Sequence, residues 1–195
     1  MFKPQRITPP AAPLISTADA HAHCRVDHDD ENDVLDACVA DATSYLDGWS
    51  GVMGRCLINQ TWRQDFARWG PAMRLPFPDV SSIASITYKD QDGVQQTVDP
   101  AMYEIAQDHL SAAVFFKTTF TVPALEFDVP APISVTYVAG YGADADAVPG
   151  AIRRAALLLV GHYFENREAV TVGVTSSDLQ MAVDALIAPH RRVGV

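Results

Sequence analysis

The stretch that most constrains this chain is the run following Pro149. Its middle, Ala155-Ala156-Leu157-Leu158-Leu159-Val160, is apolar on nearly every face of a helix. A helix without a polar stripe has to be covered all round. With fewer than ~18 apolar residues, and with Arg153, Arg154 and Glu165 at its ends, it is too short and too charged to cross a membrane. We therefore expect a buried helix of about four and a half turns, part of whose cover comes from another subunit. A strand precedes it, in which Ile133, Val135 and Tyr137 alternate with Ser134 and Thr136, the period-2 signature. Ala139-Gly140-Tyr141-Gly142 breaks the strand, and an acidic loop from Ala143 to Val148 carries Asp144 and Asp146. Pro149 stands where a first helical residue would, its missing N–H costing nothing there.

A chain of 195 residues is one domain, or one domain with a sizeable insertion. It is long enough to bury roughly 70% of its unfolded surface without covalent staples. Asp and Glu number 24 against 14 Lys and Arg, a formal net charge of −10. That disfavours the chain as a whole gripping a phosphate backbone, without forbidding nucleic acid nearby, since an acidic wall repels DNA and keeps it from sticking. Cys24, Cys38 and Cys56 have no C-x-x-C spacing, which argues against a disulfide framework or a zinc ribbon and for a reducing compartment. The first sixteen residues lack a continuous apolar core and do not read as a signal peptide. A cytosolic product is the expectation.

Taken in order, residues 1–16 hold Pro4, Pro9, Pro10 and Pro13 and predict an extended arm that frays or lies along a neighbour. Thr17 reads as the N-cap of a short helix from Ala18 to about Arg25. After a polar joint, a second helix runs from about Glu31 to Asp47, with Val34, Leu35, Cys38, Ala42, Tyr45 and Leu46 on one stripe. Gly48, Gly51 and Gly54 end it. From Cys56 to Val138 the character changes to strands and turns. Leu57–Trp69 is a strand of ambiguous inner face. Pro71, Pro76 and Pro78 punctuate a loop around Leu75 and Phe77. Ile83–Lys89 and Val94–Val98 form a hairpin about Asp92-Gly93, and Tyr103–Ala106 pairs with Ala112–Lys117. A loop at Ala169–Ser177 follows the long helix. A last helix, capped by Ser177 or Asp178, carries Leu179, Val183, Leu186 and Ile187 and stops at Pro189. The fold class is α+β: an arm (1–16), a helical bundle (17–55 and 143–188), a β-rich insertion (56–142) and a tail (189–195).

Chemistry-bearing constellations are few. His21, His23, Cys24 and His28 are the most metal-like, yet His21 and His23 would point about 200° apart on a helix. Surface histidines beside a buried cysteine is the preferred reading. Asp27, Asp29, Glu31 and Asp33 alternate like calcium-loop ligands, but the glycine and glutamate such a loop needs are replaced by Asn32 and Cys38. Gly140-Tyr141-Gly142 lacks the third glycine and the lysine of a phosphate loop, and no G-x-S-x-G or H-E-x-x-H occurs. His162, Tyr163, Arg167 and Glu168 offer either a pocket or, the preferred reading, a capped helix end that pairs across a subunit boundary. No catalytic residue, metal or cofactor is assigned.

Three blocks carry a family resemblance. They are Thr17–Asp27 (TADAHAHCRVD) with the Val34–Trp49 helix; Val138–Gly142 (VAGYG), Val148–Ile152 (VPGAI) and Tyr163–Glu168 (YFENRE); and Asp184–Arg191 (DALIAPHR). In this order they resemble the head–tail connector (adaptor) proteins of long-tailed bacteriophages and of phage-like gene transfer agents. The family's tyrosine in the final tail is His190 here. The resemblance implies a non-enzymatic ring of identical subunits, dodecameric, docked beneath the portal protein and joined to a stopper or tail-terminator protein. DNA passes through its channel without specific binding. It also implies residence in the particle neck after assembly in the bacterial cytoplasm. On that reading the tail Pro189, His190, Arg191, Arg192, Val193, Gly194 and Val195 contacts the portal. Ile152, Leu159, Tyr163, Arg167 and Glu168 pack the bundle or a subunit boundary, and Asp144 and Asp146 face the channel. The competing readings are a small cytosolic metal-dependent hydrolase using His21, His23 and His28, or another neck part such as a stopper or tail-completion protein.

Overall fold

The computed structural model describes residues 2–108, 110–166 and 177–192. The fold is α+β, and the chain divides into two compact units. Among the described residues, one comprises 11–58, 141–166 and 177–192 and is helical; the other comprises 2–10, 59–108 and 110–140 and is built of strands.

The helical unit holds α1 (Thr17–Cys24), α2 (Asn32–Leu46), α3 (Gly150–Glu165) and α4 (Ser177–Ile187). Ser16, not Thr17, is the N-cap of α1, its hydroxyl accepting the Asp19 amide at 3.1 Å. The Thr17 hydroxyl is engaged elsewhere, donating to Asp36 of α2 at 2.8 Å. The buried face of α2 is Leu35, Cys38, Val39, Ala42 and Leu46, with Val34 and Tyr45 half-buried at its margins. Pro149 stands one position earlier than expected. Its backbone is extended, it occupies the N-cap, and its carbonyl accepts the Ile152 amide at 2.9 Å.

Ile152, Ala155, Ala156, Leu159 and Val160 of α3 are buried in one core with Leu35, Leu46, Met53, Leu57, Val183 and Ile187. Each large aliphatic chain hidden there contributes about 1.5–3 kcal/mol. Leu157 and Leu158 remain half-exposed, so the unit's own elements cover most of α3 but not its whole circumference. Gly161 lets α1 approach: a Cβ there would stand 3.1 Å from the His23 ring.

In the strand unit, a five-stranded antiparallel sheet has the order β1 (Gln5–Thr8), β2 (Gln60–Phe66), β8 (Ile133–Ala139), β4 (Val80–Lys89), β5 (Gln95–Thr97). A second sheet orders β3 (Met73–Arg74), β7 (Ala112–Phe116) and β6 (Tyr103–Gln107). Residues 5–8 of the expected arm are thus the edge strand β1, paired from Gln5 with Arg63 to Thr8 with Thr61. β2 is shorter than the Leu57–Trp69 expectation, and its inner face is Gln60, Trp62 and Gln64. Trp62 meets the Phe77 ring at 4.8 Å, and buried Gln64 donates to the Phe2 carbonyl at 2.9 Å. β8 alternates as expected, with Ile133, Val135 and Tyr137 fully buried at the sheet centre. Trp69 lies beyond β2, edge-on to Tyr88, Phe116 and Phe120 at 5.2–5.5 Å between centroids.

Candidate assembly surfaces

The C-terminal segment is folded back on its own unit. After α4, a 3-10 turn at Ala188–His190 redirects the chain, and the Arg192 amide donates to the Met53 carbonyl at 2.9 Å. The receiving turn follows α2. It is anchored by buried Asp47, which accepts the Leu57 amide at 2.7 Å, and it passes through Gly54 at φ +64°. A side chain at Gly54 would begin 3.5 Å from the Arg192 Cβ. Of the tail residues, Pro189 and Arg191 are exposed and His190 and Arg192 half-buried, while Val193, Gly194 and Val195 fall outside the described residues.

Asp144 and Asp146 are exposed on the loop ahead of α3, but neither carboxylate is idle. Asp144 accepts the Asp146 amide at 3.2 Å, and Asp146 pairs with Arg153 at 3.0 Å. This loop arrangement neutralises one of the two guanidinium groups at the start of α3. Beside it a groove of about 230 Å³ is lined by Leu14, Ile15, Asp19, Arg153, Arg154 and Leu157.

Ile152 and Leu159 lie in the core of the helical unit itself. Tyr163 is half-buried near the other end of α3. Burial pushes its phenol above the ordinary tyrosine range, and the nearby Tyr45 and Asp41 add to the effect. The helix end is closed by Asn166, whose side-chain amide donates to the His162 carbonyl at 2.9 Å and whose backbone N–H reaches the same oxygen at 3.0 Å. Arg167 and Glu168, expected to serve that end, fall outside the described residues, as do most of residues 169–177.

The metal-like cluster does not converge. Among the described residues no group of three His, Cys, Asp or Glu side chains is placed to share an ion. His21 instead links α1 to the joint ahead of α2: Nδ1–H donates to the Val26 carbonyl at 3.1 Å and Nε2–H to the Asn32 side-chain oxygen. A neutral imidazole has only one N–H, so satisfying both acceptors requires the imidazolium. The Asn32 bond first, then the Val26 bond, raise the His21 pKa above 6.5, with Asp29 and Asp36 adding. His23 lies against Gly161, and His28 is exposed. Sequence reasoning missed Asp47, Asn166 and the Met53–Arg192 bond. Two of these act through backbone groups of distant residues, and Asn166 alone left a signal as a common helix-ending residue.

No protein-family model and no curated protein sequence matches this chain. Solved structures do. One chain in the neck of an empty gene transfer agent (GTA) particle, computed with C6 symmetry, superimposes with a TM-score of 0.79 at 22% identity. The match covers 100% of this chain and 97% of that one. A chain in the virion of a native GTA particle gives 0.79 at 21% identity, with the same coverages. A chain in the neck of a native GTA particle, computed with C12 symmetry, gives 0.68 at 21% identity, again covering 100% and 97%. From end to end, the protein has the fold of chains found in gene transfer agent particles, two of them in particle necks.

Proposed function

We propose that this protein is a structural component of the neck of a phage-like, DNA-containing particle and, more narrowly, its head–tail connector. The observation that carries the reading is the full-length likeness to chains of GTA particle necks, at a TM-score of up to 0.79 with both chains covered almost completely. The C6 and C12 symmetries applied to those necks favour a ring of identical copies. Ring contacts are heterologous, so two different faces of each subunit meet. On this reading the half-exposed Leu157, Leu158 and Tyr163 on α3, together with Arg167 and Glu168, supply one such face. Residues 189–195 engage the portal above, a stopper or tail-terminator protein binds below, and DNA slides past Asp144 and Asp146. The formal charge of −10 suits that passage, because an acidic lining repels phosphate.

Negative-stain imaging of the protein mixed with the portal protein of the same particle, beside each alone, tests the reading. A ring capping the narrow end of the portal is the expected result. Separate particles with no portal binding would overturn it.

A further inference from the structure

The proposed function asks the basic tail to reach outward to a portal, yet in the isolated chain the same tail is held inward. We propose that residues 191–192 form a latch. In the free protein the tail is stored on the Met53–Gly54 turn, and it must leave that turn before the portal can be bound. This inference rests on the connector reading for the identity of the tail's second partner; the stored position itself rests on geometry alone.

Three observations carry it. The Arg192 amide is pinned to the Met53 carbonyl at 2.9 Å. Gly54, with φ at +64°, leaves bare backbone beneath the Arg192 stem: a Cβ added there would stand 3.5 Å from the Arg192 Cβ and 3.9 Å from its Cδ and its carbonyl oxygen. Among the described residues the Arg192 Nε is buried without a hydrogen-bond acceptor. A buried, unsatisfied donor is costly, so the seat holds the Arg192 backbone and leaves its Nε–H unsatisfied. A contact of that kind is stable enough to be populated and weak enough to be exchanged. An acceptor-rich site on a partner, offering carboxylates or carbonyl oxygens to Arg191 and Arg192, would satisfy what the seat leaves unsatisfied. The fraction of chains with the tail stored then lowers apparent portal affinity in proportion.

The geometry supplies its own lock. A separation of 3.5 Å between Cβ positions 54 and 192 lies within the range that a disulfide spans. We would therefore make Gly54→Cys with Arg192→Cys in a chain where Cys24, Cys38 and Cys56 are replaced by alanine. The free chain should oxidise to an intramolecular bridge. The oxidised chain should lose portal binding, and reduction should restore it to the level of the same chain never oxidised. If the bridge does not form, the stored position is not populated and the latch is refuted. The reduced double variant, which lacks Arg192, sets the baseline: where it binds the portal, equal binding by the oxidised and reduced chains refutes release, and where it does not, Gly54→Asn, which keeps Arg192, carries the test. Absence of portal binding by the wild-type chain is a different failure: it overturns the connector reading, and release with it, while bridge formation still reports the stored position. If the double variant does not fold, Gly54→Asn replaces it. Asparagine tolerates this backbone; its Cβ would stand 3.5 Å from the Arg192 Cβ, and the amide beyond it is placed to compete for the space under the Arg192 stem. Its portal affinity should rise, up to about tenfold for the loss of one net hydrogen bond. Unchanged affinity would refute the latch.

Discussion

The two chain ends both read in sequence as short extended segments, one rich in proline and one basic, but they are held in different ways. Near the N-terminus, β1 is part of the five-stranded sheet. Pro4 is buried, the Phe2 carbonyl takes a hydrogen bond from buried Gln64, and Arg63 donates to the Gln5 side chain at 2.9 Å. The C-terminal segment touches its unit through a backbone bond at Arg192 and the stem lying on Gly54. The first end is a structural member and the second an attachment. The lesson is that extension in sequence says nothing about how firmly a segment is held. What matters is how much depends on it: a ladder of strand pairs and a buried side-chain amide at one end, a single backbone carbonyl at the other.

That contrast can be broken most forcefully by deleting residues 2–8. The loss of β1 and of the partner for buried Gln64 should lower stability by about 3 kcal/mol or more, since one orphaned buried donor alone costs about 1–3 kcal/mol. The urea midpoint measures this, and a change under about 1 kcal/mol would put the N-terminus in the same class as the tail. Next in size is Gln64→Ala, which keeps β1 but removes its interior anchor. A loss of about 1–3 kcal/mol is expected, and the amide exchange rates of residues 5–8 should rise with it. Deleting residues 189–195 should cost no more than about 1 kcal/mol, the net worth of one hydrogen bond, while portal attachment is lost. A larger loss would make the tail structural and sink the contrast from the other side.

The smallest effect is a pH dependence centred on His21. Its folded pKa is raised, so the stabilisation it provides is fully present below the unfolded value of about 6.5. That stabilisation is lost as pH rises through the higher folded value. Imidazole signals followed by NMR should titrate later for His21 than in a peptide of the same sequence. The urea midpoint of His21→Gln should fall less than that of wild type as pH is raised above 6.5. Identical pH profiles would show that the clamp between α1 and α2 contributes nothing.

Much of the fold was legible because period reports burial. The stripe Leu35, Cys38, Ala42 and Leu46 on α2 and the alternation of Ile133, Val135 and Tyr137 on β8 point where they were expected to point. β2 resisted such reading because two of its inward residues, Gln60 and Gln64, are polar, which cancels the alternation on which the inference depends. β1 was hidden by its flanking prolines. Proline is tolerated at sheet edges and strand ends, so Pro4 and Pro9 bound a strand rather than forbid one. The site was less legible than the fold. The tail's basic residues were visible in sequence, but the seat at Met53 and Gly54 is recognised by a carbonyl and by an absent side chain, and neither leaves a pattern.

The three tryptophans also give the protein an optical asymmetry. Trp62 is 6% exposed and Trp69 half-buried, both in the strand unit, whereas Trp49 of the helical unit is already 43% exposed. Indole emission shifts to the red when a ring passes from apolar surroundings into water. The natural fluorescence of the chain therefore reports chiefly on the sheets, while far-ultraviolet dichroism reports chiefly on the helices. Recorded on one urea series, the two signals ask whether the units melt as one body. Coincident curves would mean that strain applied to one unit is felt throughout the other. Separated curves would describe a part in which one unit can yield while the other stays folded.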